Sequence, residues 1–294
     1  MGQDKKYIII AVSVLIAEST ACNNFGAARQ ESAPQSATTY ISARYAQAKT
    51  RPTEMTLKQQ LESILSNQYE SEDGDLFKVE LLVGMSESEI ENLKSQLPKN
   101  NLPHEIEELL RFSKGFEFLG LEEIRFDAYG HFGFEEMFPH SIQLAGDGFG
   151  NFWILDIDSN GNWNSVYYVC HDPAVIVKHS ENLVEFIKHI DEFGQKGNQS
   201  NLDFIHEKTV MDIWSEKFVI MEKNEKDYDF ENRQVELPKM FLVADLTDKP
   251  IKTGFPWGKS GPKTKIIRPT DEPIWIVEKK VNQGFLSRLF GRKK

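Results

Sequence analysis

The sequence predicts an α+β fold, with a mixed or antiparallel sheet, packed helices and a small C-terminal extension. Three observations predict it. Apolar residues recur at helical spacing over residues 56–110, at strand-like spacing over 123–178, and again at helical spacing over 183–190. That order, helices then strands then a closing helix, implies segregated α and β layers. Asn160-Gly161 stands between two apolar runs, a strong short-range hairpin signal. With 294 residues, 40% hydrophobic and 11% aromatic, the chain can also bury a sizeable core.

The N-terminal stretch reads as a targeting signal. Lys5 and Lys6 precede an apolar run from Tyr7 to Ala17, and the small residues Ser19 and Ala21 stand just before Cys22. This resembles a bacterial lipoprotein signal, with residues 1–21 removed and Cys22 carrying lipid, and implies an exported, envelope-anchored protein. If the segment is not a signal, the chain is cytoplasmic. The run is too short to span a bilayer. Residues 22–55, rich in Ala, Ser, Thr and Gln, read as a flexible linker with a reach of roughly 30 Å.

A domain is expected over 56–193. Leu57, Leu61, Ile64 and Leu65 predict an amphipathic helix from Thr56 to Glu70, followed by a strand-like run from Leu76 to Val83. Ser86 and Glu89 form a capping box for a helix that buries Ile90, Leu93 and Leu97 and stops at Pro98. Pro103 opens a third helix that buries Ile106, Leu109 and Leu110 and ends at Gly115. Strands are expected at Glu123–Tyr129, Phe152–Asp158, Val166–His171 and Ala174–Lys178. Ser180 then caps a helix carrying Leu183, Phe186, Ile187 and Ile190 that ends at Gly194.

The composition shift after Gly194 marks a domain boundary, with an extension over 194–284. In it, Val210–Met221 reads as helix or strand, and Met240–Asp245 and Ile274–Glu278 read as strands. The tail, 285–294, sets Phe285, Leu286, Leu289 and Phe290 against Arg288, Arg292, Lys293 and Lys294.

The stretch GDGFGNFWILDIDSNGNW, Gly146 to Trp163, admits three readings. A phosphate cradle needs its glycines between a strand and a helix N-terminus, yet Phe-Trp-Ile-Leu comes next, a β-rich run. A calcium loop matches Asp156, Asp158, Asn160 and Gly161, but the bidentate Glu of the twelfth position is Tyr167. The hairpin reading fits best, with Asn160 and Gly161 both at turn positions of positive φ. It places Trp153, Leu155 and Ile157 on one strand face and Phe152 and Ile154 on the other, so the strand is covered on both sides. Gly148 and Gly150 then serve bends and not ligands.

No cofactor, metal or catalytic residue is expected. His206-Glu207 lacks the second histidine of a zinc helix. Cys170, within an apolar strand, reads as a small hydrophobe unless a free Cys22 bridges to it. A hydrolase using His171 with Asp147 or Asp172 is the weakest of three functional readings. The formal net charge of −11 excludes a nucleic-acid backbone as the main partner. It suits a basic protein instead. Glu105, Glu107, Glu108, Glu122, Glu123, Asp127, Glu135 and Glu136 are candidates to steer one.

Leu102-Pro103 opening a helix that ends at Gly115, then AGDGFGNFWILDI, VYYVCHDP and a helix ending in VEFI resemble the SUKH superfamily, the Smi/Knr family, over roughly Met85 to Ile190. The resemblance implies an α+β domain without catalysis. It maps the family's Asp-Gly-x-Gly-Asn motif onto Asp147, Gly148, Gly150 and Asn151, beside Trp153. It implies an immunity-type protein that neutralises a toxin by binding it or, alternatively, a scaffold for cell-wall synthesis. The membrane would be reached only through lipid on Cys22.

Overall fold

Two helices begin where side chains satisfy amides that a helix N-terminus leaves without partners. The computed structural model describes residues 55–280, apart from residues 72, 122, 216–236 and 239. In it, Thr56 and Ser86 each accept from the backbone three residues on, and Gln59 and Glu89 reach back to the cap N–H. The helices they open are α1 (Leu57–Leu65) and α2 (Glu87–Gln96). α1 stops short of the expected Glu70 because Tyr69–Glu70 (β1) turns back to pair with Leu76–Phe77 (β2).

α3 (His104–Phe112) buries Ile106, Leu109 and Leu110 as expected. Gly115 does not end it. The helix closes at Ser113, whose hydroxyl donates to the Leu82 carbonyl at 2.7 Å, and Gly115 opens β4 (Gly115–Glu117). A Cβ at Gly115 would lie 2.0 Å from the Ile124 carbonyl oxygen, so the glycine serves the close approach of two strands. β4 lies between β3 (Glu80–Leu81) and β5 (Ile124–Arg125).

The main sheet has five strands in the order β11-β9-β8-β7-β6: β6 (Ser141–Gly146), β7 (Phe152–Ile157), β8 (Trp163–His171), β9 (Ala174–Ser180) and β11 (Gly254–Phe255). Every strand pair among the described residues is antiparallel. Both faces are apolar. Trp153, Leu155, Ile157, Val166, Tyr168, Val175 and Val177 enter one core with the helices, whereas Ile154, Tyr167, Val169 and Ile176 enter a second. The expected two-sided β7 is therefore present. It is flanked by β6, a strand that the sequence patterns do not mark.

α4 (Leu183–Lys196) closes the first core with Leu183, Phe186, Ile187 and Ile190. Its cap is Asn182, whose side chain accepts from the Glu185 N–H at 2.9 Å, and not Ser180. Ser180 is buried at the end of β9, between His179 Nδ1 at 2.7 Å and His189 Nδ1 at 3.1 Å. Gly194 does not end the helix either. It lies inside α4, where a Cβ would sit 2.3 Å from the Tyr69 ring, so the glycine admits β1 against the helix. Then α5 (Asn201–Phe204), a π-turn over Ile205–Thr209 and α6 (Val210–Ser215) add Leu202, Ile205, Val210 and Ile213 to the same core.

The chain beyond residue 236 covers the opposite face. β10 (Phe241–Asp245), β13 (Ile274–Glu278) and β12 (Ile266–Ile267) form a three-stranded sheet in the order β10-β13-β12, while β11 joins the edge of the main sheet beside β9. Trp275 and Phe255 are fully buried there, and the Trp275 indole donates to the Met137 carbonyl at 2.8 Å. The chain from Met55 onward forms one compact unit, and past Gly194 it continues in the helical core through α6. Among the described residues no helix is long and apolar enough to cross a membrane. The expected signal, Cys22, linker and basic tail, like Glu122, lie outside the described residues.

One buried ion pair fastens the two layers. Asp156 on β7 and Arg268 after β12 meet in a two-pronged contact: Nη1 donates to Oδ1, and Nη2 donates to Oδ2 at 2.8 Å. The guanidinium also donates to the Asp271 carbonyl at 2.6 Å and the Glu272 carbonyl at 3.2 Å, and stacks over Trp275. Burial pushes the Asp156 carboxyl up, against the pull of Arg268. Arg268→Met should therefore cost about 3 to 5 kcal/mol by stranding a buried carboxylate. Asp156→Leu/Arg268→Met should recover most of that loss in urea denaturation.

Burial holds His179 well below the ordinary imidazole range, with His189 and Lys252 adding to the effect, and burial lowers His189 as well. The unfolded chain takes up these protons near pH ~6.5 while the folded chain resists them, so stability is full above that value and falls as pH drops. The urea midpoint should fall between about pH 7.5 and about pH 5.5. The fall should be smaller in His179→Phe.

Candidate protein-binding surface

β7 is bounded at both ends by the same five-residue pattern, Asp-x-x-Gly-Asn, at Asp147–Asn151 and Asp158–Asn162. In each loop the leading carboxylate accepts the backbone N–H groups two and four residues on, and the final Asn side chain donates to the same carboxylate. The distances are 2.8, 3.2 and 2.6 Å in the first loop and 2.8, 2.9 and 2.9 Å in the second. The glycine takes a positive φ in both, +89° at Gly150 and +81° at Gly161. The spacing is what lets one short acid cap a whole turn.

The second loop corrects the expected hairpin. Only Gly161 has a positive φ, not Asn160, and the Gly161 N–H returns to the Asp158 carbonyl at 2.9 Å. It is a three-residue loop with a left-handed glycine, not a two-residue turn. Desolvation pushes the Asp158 carboxyl up, but donors from Asn162 and Asn160 outweigh it and hold the group below the ordinary carboxylate range. The oxygens of the calcium reading are thus committed elsewhere, Asp156 to Arg268 and Asp158 to its own loop.

The two loops differ in what covers them. Asn101 donates to the Asn160 carbonyl at 2.9 Å, Lys99 donates to the Asn160 side chain, and Asp271 accepts from the Ser159 N–H at 3.0 Å. The second loop is a clasp within the protein. In the first, Tyr168 donates to Asp147 at 3.1 Å from below, and Asn151 Oδ1 accepts from the His171 N–H and lies 2.9 Å from its Nδ1. Nothing lies within 4 Å of a Cβ built on Gly148, and Phe149 is 60% exposed at the tip. A large apolar ring is held in water on a loop braced by Asp147 and Asn151.

A second exposed ring belongs to the same end of the sheet. Phe134, 47% exposed, packs at a tilt on Phe132 with ring centroids 5.1 Å apart, and Phe132 meets Phe152 at 5.9 Å, the residue next to Asn151. Glu135 and Glu136 come next in the chain, both exposed and without an ion pair among the described residues. The other acidic candidates have internal work. Glu105 accepts the Leu57 N–H at 2.8 Å, Arg111 bridges Glu107 and Glu87, Glu108 lies 3.5 Å from His104, and Arg125 binds Glu123 and Asp127. Moreover, α3 packs in the helical core and Met137 and Phe138 in the opposite one, so the structure does not gather the glutamates on one face.

For chemistry, the site offers little. His171 faces Asn151 and not Asp147 or Asp172, and burial pushes the Cys170 thiol up to about 11, which keeps it protonated. Trp153 is buried between Tyr168 and His179, as a core residue should be. Trp153→Ala should cost about 3 to 5 kcal/mol. Phe149→Ala should change stability by less than about 0.5 kcal/mol in the same urea titration.

Residues 84–189 match the model of the SMI1 / KNR4 family (SUKH-1). No curated protein and no solved structure matches the chain. The match runs from the turn before α2 into α4 and takes in both Asp-x-x-Gly-Asn loops, leaving α1 and the covering layer outside it. Residues 84–189 are therefore the part of the chain that resembles a SUKH-1 domain of the SMI1 / KNR4 family, within a larger α+β unit.

Proposed function

We propose that this chain is a non-enzymatic module that binds another protein, most simply an immunity-type protein that neutralises a basic toxin domain. The observation that carries this reading is Phe149, presented to solvent on a loop held by the bonds that Asp147 makes to the Phe149 and Asn151 amides and to the Asn151 side chain. Rings displayed this way serve as anchors, since little ordering entropy remains to be lost on docking. Phe134 adds a second anchor, and the free carboxylates of Glu135 and Glu136 would favour the approach of a cationic surface. Neither metal chemistry nor an activated nucleophile is needed for such a role.

The N-terminal pattern around Lys5, Lys6 and Cys22 favours a lipid-anchored protein in the cell envelope, which bears on the partner. A toxin met in that compartment, or wall-building machinery in the alternative scaffold reading, would be within reach of a tethered domain.

Full-length protein immobilised at low salt should retain a cationic protein from a lysate of its host. Phe149→Ala/Glu135→Lys should retain about tenfold less or lower, with unchanged thermal unfolding. Equal retention by the double variant would rule this surface out as the docking face.

A further inference from the structure

The covering layer carries charge of the opposite sign to the whole chain. Residues 249–280 contain eight Lys and Arg against three Asp and Glu, in a protein of net charge −11. Where this layer meets the residues matched by the SUKH-1 model, a groove of about 800 Å³ opens. Phe134, Met137, Trp257 and Ile266 give it apolar walls. Lys263 and Lys265, both exposed, line it along the Gly261–Lys265 turn, with Glu136 as the one carboxylate in the lining.

The groove also runs along a sheet edge. Among the described residues β12 pairs with β13 on one side only. Just past its end, the Arg268 N–H donates to the Glu136 carbonyl at 2.9 Å, so a backbone outside the sheet already runs beside this edge for one bond. A strand edge beside apolar walls and lysines suits an extended segment whose side chains alternate between apolar and acidic.

We propose that this groove binds an extended acidic peptide segment bearing large apolar side chains, contributed by a partner protein. The site lies mostly outside the residues matched by the SUKH-1 model, and although it shares Phe134 and Glu136 with the first surface it does not rest on Phe149. Its charge preference is the reverse of that surface, so one partner would need a basic face and an acidic strand to use both.

A random peptide display library panned on the full-length protein should enrich sequences with two or more Asp or Glu interleaved with aromatic or branched aliphatic residues. A fluorescent copy of an enriched peptide should bind about fivefold more weakly to Lys263→Glu, and more weakly as salt is raised. The same peptide should bind Phe149→Ala as it binds the parent protein, which separates this groove from the first surface. Enrichment of basic peptides, no enrichment, or equal binding by Lys263→Glu would overturn the proposal. So would displacement of the peptide by self-association in light scattering, which would give the groove to a second copy.

Discussion

A sheet that is apolar on both faces cannot leave either one in water, and the rest of this structure depends on that constraint. Ile154, Tyr167, Val169 and Ile176 are as fully buried as Trp153, Leu155, Tyr168 and Val177 on the other side. At roughly 25 cal/mol for each Å² of apolar surface kept from water, neither side can be spared. The SUKH-1 segment supplies helices for only one of them. The covering layer beyond residue 236 is therefore not an appendage, since without it Tyr167 and Phe138 would face solvent where they now meet Trp275 edge to face.

The second layer docks by an unusual means for so apolar a contact. Asp156 and Arg268 form a buried pair whose desolvation cost offsets most of their attraction, so the pair contributes little net stability compared with a well-packed apolar substitute. Its contribution lies in register. The carboxylate on β7 accepts a two-pronged contact from one direction only, and the guanidinium that makes it also ties the Asp271 and Glu272 carbonyls and rests on Trp275. Asp271 then reaches Ser159 in the β7–β8 loop. A slippery apolar interface is given a single position.

Much of this was legible in the sequence, and the failures have physical causes. Capping boxes and apolar periodicity are local, so α2, α3 and the faces of β7 could be read from a few residues each. Gly115 and Gly194 misled for the opposite reason: both are glycines because something distant, the Ile124 carbonyl and the Tyr69 ring, comes too close for a Cβ. No local rule distinguishes that from a helix stop. Ser180 looked like a cap by composition, but its hydroxyl was claimed by two buried histidines. The repeated Asp-x-x-Gly-Asn was visible throughout. It was missed because one copy suggested a motif and the other a metal loop or a turn, although the two bond alike.

That repetition separates scaffold from surface. Both loops solve the same problem, turning a chain at the end of β7 with the leading Asp side chain gathering the amides two and four residues on and the side chain of the closing Asn. The copy at 158–162 is nevertheless clamped by Asn101, Lys99 and Asp271, and it has no bulky apolar residue at its tip. The copy at 147–151 keeps its contacts below itself, in Tyr168 and His171, and puts Phe149 at the tip. Folding alone would favour a polar residue there, as Asn160 shows at the corresponding turn. Among the described residues Phe149 stays 60% exposed on a loop fixed from below, and this contrast between two like-built turns is what the proposed docking surface is built on.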